Sequence, residues 1–151
     1  MIYIASDHAG FELKKALIEH LKSQGQKVED CGPFEYNKDD DYPDFIYPCA
    51  VNVASNPGSL GIVMGYSGQG EAMVANKAKD VRAVLYYGGN DSVVKLSREH
   101  NNANMLSLGA HFLNTEQAER VVDLWIETGF LGGRHQRRID KIKKIEEHTL
   151  K

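Results

Sequence analysis

The stretch Gly61–Lys77, GIVMGYSGQGEAMVANK, limits what the rest of the chain can be. An apolar run, Ile62–Met64, breaks at Gly65 into Ser67-Gly68-Gln69-Gly70, and a helical pattern begins at Glu71. The order is strand, glycine loop, helix. Glycines this close together let successive backbone N–H groups converge on one point, and a following helix N-terminus adds partial positive charge. Such a loop suits an anion. Glu71 adds an ionisable carboxylate in the first helical turn. A base near a carbon, with N–H groups near its oxygen, is what proton abstraction alpha to a carbonyl requires.

The same unit recurs along the chain. Ile2–Ala5 is a strand candidate, followed by Ser6-Asp7-His8-Ala9-Gly10 and a helix with Leu13, Ala16, Leu17 and Leu21 on one face. That helix stops at Gly25, and Lys27–Asp30 resumes as a short strand. Cys31–Pro43, with the acidic run Asp39-Asp40-Asp41, reads as an exposed loop. Pro43 then opens a helix carrying Ile46, Ala50, Val53 and Ala54, which Asn56-Pro57-Gly58 ends. Val81–Tyr86 and Met105–Leu108 are further strands, with helices ending near Glu99, over Thr115–Glu127, and over Arg134–Leu150. Five strands alternating with helices, without an internal repeat, predict an α/β chain. Its parallel sheet should be covered by helices on both faces through right-handed crossovers.

In such sheets ligands sit beyond the carboxyl ends of the strands. The expectation is one cleft shared by Asp7 and His8, by Ser67, Gly68, Gly70 and Glu71, by His100-Asn101, and by His111. Arg134 and Arg138 stand four apart beside His135, one face of a helix start able to clamp a phosphate. A dinucleotide loop is excluded, because Gly65, Gly68 and Gly70 do not follow GxGxxG and no GK[ST] follows. The six histidines form no HxH or HxxxH pair, so no metal is expected. Net charge −3, from 18 basic and 21 acidic residues, gives no general attraction to nucleic acid or anionic membrane. At 151 residues the expectation is one domain with one core. The N-terminus lacks leader-like patterning and no apolar run reaches membrane-spanning length, which points to the cytoplasm. Cys31 and Cys49 read as free structural thiols.

Ser6-Asp7-His8-Ala9-Gly10-Phe11, Asp41-Tyr42-Pro43, Gly68-Gln69-Gly70 with Ala75-Asn76-Lys77, Leu96-Ser97-Arg98-Glu99-His100-Asn101 and Gly132-Gly133-Arg134-His135-Gln136 occur in this order along the chain. Together they resemble the ribose-5-phosphate isomerase B family, which also includes the galactose-6-phosphate isomerase subunits. The resemblance runs from residue 2 to about residue 147. It implies a three-layer α/β/α Rossmann-like fold with a five-stranded parallel sheet, and an aldose-ketose isomerase of sugar phosphates without metal or cofactor. It also implies a homodimer or tetramer whose sites are completed by a neighbouring subunit. Independently of the resemblance, the sparse isoleucines Ile139, Ile142 and Ile145 leave helix 134–150 able to pack on a partner chain.

Matched positions then take roles. Asp7 and His8 contact sugar and phosphate. Tyr42, Tyr66 and Ser67 line the pocket, and the Gly65–Gly70 backbone holds the enediolate. His100 opens the sugar ring with Asp7 in support and Asn101 beside it, and Arg134 and Arg138, next to His135, bind phosphate. Many members carry a cysteine base where this chain has Gly65; another branch has a glutamate matching Glu71, and this chain resembles that branch. His111 stands where members often have a phosphate-binding arginine. A histidine is shorter and titrates near neutrality, which keeps a six-carbon aldose phosphate open as the substrate. A sugar-phosphate-binding module without catalysis is the rival from another class.

Overall fold

A computed structural model describes residues 1–149. Strand β1 (Ile2–Ser6) leads through a 3-10 turn to α1 (Phe11–Ser23), then β2 (Val28–Asp30) and α2 (Pro43–Ser55). The central unit is β3 (Leu60–Gly65) and α3 (Gln69–Ala75). After it come β4 (Ala83–Tyr86), α4 (Ser92–Glu99), β5 (Met105–Gly109), α5 (Thr115–Glu127) and α6 (Arg134–Thr149). The last residue of the helix expected over 134–150 lies outside the described residues.

The five strands form one parallel sheet in the order β2-β1-β3-β5-β4. This is the α/β Rossmann-like architecture expected. Its two faces are both apolar because alternate residues of β1 point opposite ways. Ile2 and Ile4 pack with Leu17 and Leu21 of α1 and Val121 and Trp125 of α5. Tyr3 and Ala5 pack with Ile46, Ala50 and Val53 of α2 and with Ala75 of α3. Asn114 starts α5 with a reciprocal capping box to Gln117, at 2.8 and 2.9 Å.

Two features were not visible in the sequence. Residues Cys31–Tyr42 are not a loose surface loop throughout: the Lys14 ammonium, 1 % exposed, donates to Asp30 at 2.7 Å and to the Pro33 carbonyl at 2.6 Å, tying the loop's start to α1. Cys31 and Cys49 are free thiols in mutual contact; the Cys31 thiol is drawn below its ordinary pKa by the hydrogen bond from Cys49, whose own thiol is pushed up. Among the described residues, no helix is long and apolar enough to cross a membrane.

Candidate active site

The carboxyl ends of β1 and β3 are neighbours, with Ser6 paired to Met64, and the chain departs from them to opposite sides of the sheet. That topological switch point opens a crevice. Gly65, at the end of β3, pairs with Gly109 at the end of β5. Gly68 has φ +82°, a left-handed conformation, and a Cβ there would stand 2.9 Å from the Leu108 carbonyl carbon. The Ser107 hydroxyl donates to the Gly68 carbonyl at 2.7 Å, fixing the loop to the sheet. Among the described residues, the Ser67 and Gly68 N–H groups find no acceptor, while the Ser67 hydroxyl accepts from the Gln69 N–H at 3.3 Å.

Glu71, in the first turn of α3, turns its carboxylate back over the end of β3. It is only 4 % exposed, and a Cβ on Gly65 would overlap its Oε1 and Cδ. The glycine therefore makes the space the carboxylate occupies. Burial raises the Glu71 pKa, its own N–H lowers it, and the nearby negative charge of Asp7 raises it further. Replacing Gly65 by alanine should expel the carboxylate: an assay of catalysis should lose most of its signal while the melting temperature moves little. Gly70 similarly makes room for Tyr42, whose Cζ would be 2.6 Å from a Cβ there.

Asp7 caps the turn after β1, accepting from the N–H groups of Ala9 at 2.9 Å and Gly10 at 3.2 Å. Burial raises its pKa, and the Gly10 N–H lowers it. His8 does not pair with Asp7. Its ring Nδ1 lies 2.6 Å from Asp40 Oδ1, an interaction the sequence reading missed because the acidic run looked uniformly solvated. Asp7, His8 and Asp40 bring one potential ligand atom each within 4.8 Å of one another, yet the 2.6 Å contact already commits Nδ1 to a hydrogen bond. The trio is thus a hydrogen-bonded pair beside a capping carboxylate. His111 follows β5; its N–H donates to the Tyr66 carbonyl at 3.0 Å, and its ring stacks on Tyr66 with centroids 4.2 Å apart.

His100 and Asn101 do not join this crevice, which corrects the expectation of one cleft within the chain. Helix α4 runs from the carboxyl end of β4 back to the amino end of β5, so its C-terminus lies at the opposite edge of the sheet. β5 alone spans about 17 Å. At that far edge Arg98 donates to the carbonyls of Ala103 and Thr128, and the Leu131 N–H donates to the Glu99 carbonyl at 3.1 Å. These bonds bring the start of α6 to the end of α4. The His100 and His135 rings stack 4.2 Å apart, and partial burial, with Arg134 and Arg138 also close by, lowers the His135 pKa. Arg134 and Arg138 belong to this second cluster, on the helix that starts there. Asp7 consequently does not assist His100 of its own chain.

Each chain therefore presents two separate polar clusters: a carboxylate crevice at one end of the sheet and a histidine-arginine cluster at the other. A family model described as Ribose/Galactose Isomerase matches residues 2–142. Ribose-5-phosphate isomerase B from Mycobacterium leprae is 42% identical over 146 residues, covering 96% of this chain and 89% of that protein. The probable ribose-5-phosphate isomerase B of Mycoplasma genitalium is 44% identical over 149 residues, 98% and 97% of the two chains. The solved structure of ribose-5-phosphate isomerase B from Mycoplasma genitalium, with bound ribulose-5-phosphate, superposes with a TM-score of 0.94 at 44% identity, covering 98% of this chain and 97% of that one. The enzyme from Clostridium thermocellum gives 0.92 at 39%, covering 97% of each chain. The fold, the ordered motifs and these matches along almost the whole length place the chain in the ribose/galactose isomerase family.

Proposed function

We propose that this protein interconverts ribose 5-phosphate and ribulose 5-phosphate, with Glu71 as the base. The observation that carries the reading is the placement of the Glu71 carboxylate in the space a side chain at position 65 would fill. A cysteine there in other members and a glutamate from α3 here would present their basic atoms at one place. The named relatives support the pentose substrate, above all the similar structure that holds ribulose-5-phosphate.

The sugar phosphate enters the crevice with Tyr42, Tyr66, Ser67 and His111 around it and His8 at its phosphate. A second copy of the chain supplies His100 to open the ring, with Asn101 and His135 beside it and Arg134 and Arg138 on the phosphate. Glu71 then takes the C2 proton and returns it to C1. Negative charge on the substrate oxygen is met by Ser67 and by the N–H groups of the Gly65–Gly70 loop. Donors of this kind are worth about 3–4 kcal/mol each in a dry site. The raised pKa of Glu71 suits the task, because a more basic carboxylate takes the carbon-bound proton more readily. Neither metal nor cofactor is needed for this proton shuttle.

His111 motivates a second reading, a six-carbon aldose phosphate as substrate, since a histidine reaches less far than an arginine. Parallel assays of ribose 5-phosphate and a six-carbon aldose phosphate test it. A higher kcat/KM for the pentose is expected, and a preference for the hexose would overturn the first reading.

A further inference from the structure

Resting on the isomerase reading above, we propose that Asp40 is a positioning residue for the reaction: it holds His8 by Nδ1, so that only Nε2 is presented to the sugar phosphate. One oxygen does this twice. Asp40 Oδ1 accepts the His8 backbone N–H at 3.0 Å and the ring Nδ1–H at 2.6 Å. The backbone and ring of His8 are thereby fixed to one atom, across 32 residues of sequence. An ionised carboxylate only accepts, so the shared proton sits on the imidazole nitrogen.

Burial separates Asp40 from its neighbours in the acidic run. Its side chain is 6 % exposed, whereas Asp39 and Asp41 are exposed residues. A carboxylate taken out of water is unfavourable unless paired. Among the described residues, His8 is its ion-pair partner, and Asp40 Oδ2 is buried with no hydrogen-bond partner at all. A residue whose task was only to solvate a loop would not be placed so. The His8 side chain, by contrast, is 33% exposed. The groups around it are Asp40, the Asp7 carboxyl of the same turn, Asp39, and the Tyr36 ring edge-on at 6.4 Å. The charged ones are all acidic, and the hydrogen bond to Asp40 is the largest influence holding His8 protonated above its usual range. A cationic N–H at the crevice mouth is a phosphate ligand. Asp40 sets both its direction and its charge.

The test combines kinetics and titration on the full-length protein. KM and kcat for ribose 5-phosphate are measured from pH 6 to 9 in native protein and in Asp40→Asn, and the His8 C2–H resonance is titrated by NMR in both. The variant should raise KM about tenfold near neutrality with a much smaller change in kcat. Its deficit should shrink at pH 6, and its His8 titration should move to lower pH. An Asp40→Glu variant, which keeps the charge, should recover part of the pH profile. A Tm loss with the native KM-pH profile would make Asp40 merely structural and overturn the proposal, as would an unchanged His8 titration. Absence of turnover in native protein would instead overturn the isomerase reading, and the titration would still decide whether Asp40 governs His8.

Discussion

Glu71→Gln is expected to lower kcat for ribose 5-phosphate about a hundred- to ten-thousandfold, the usual contribution of a positioned base, while the ligand still raises the melting temperature. Glutamine has the shape and much of the hydrogen bonding of glutamate, so the crevice survives and only the proton acceptor is lost. The same substitution has a second, opposite consequence for stability. Burial makes the folded-state pKa of Glu71 higher than in the unfolded chain, so the native protein binds a proton there more readily. Its contribution to stability is fully present below the ordinary carboxylate range and is lost as pH rises through the raised value. At pH 7 the ionised, buried group is thus a burden on the fold. Glu71→Gln should melt higher than native protein at pH 7, and that gain should fade as pH falls below the ordinary carboxylate range. Thermal melts across pH 3.5–8 check this. A stability gain coupled to a loss of turnover is the signature of a strained catalytic group; a Tm loss at pH 7 would show that the carboxylate is structural.

Co-expressing Glu71→Gln with His100→Gln should restore activity that neither variant has alone. The crevice and the histidine-arginine cluster lie at opposite ends of the sheet, so in the proposed reaction each working site takes Glu71 from one chain and His100 from another. In a twofold dimer made from the two variants, mixed dimers have one site with both native residues and one with neither. Random pairing then gives about a quarter of native activity. Activity equal to the sum of the separate variants would mean that sites do not combine residues from two chains.

The order of strands and helices was legible because the apolar runs and helical faces have different periods, and the closely spaced glycines of the loop after β3 marked the crevice. The position of Glu71 followed from that same loop. The place of His100 away from the crevice was also legible: a helix joining two parallel strands must return to the amino end of the sheet, so a residue at its end cannot line the carboxyl-end crevice. The insertion of β5 between β3 and β4 was not legible, since local patterning carries no information on which strand pairs with which. Nor was the burial of Asp40, because three adjacent aspartates look alike until the loop is folded back over His8. The Lys14 contacts that fix the start of that loop are equally non-local.

The most direct measurement is proton NMR of the native protein with ribose 5-phosphate in deuterated water. Ribulose 5-phosphate is expected, with solvent deuterium entering at C1 as the carboxylate exchanges its proton during the enediolate stage. Ribose 5-phosphate left unchanged, with no deuterium incorporated, would contradict the proposed reaction.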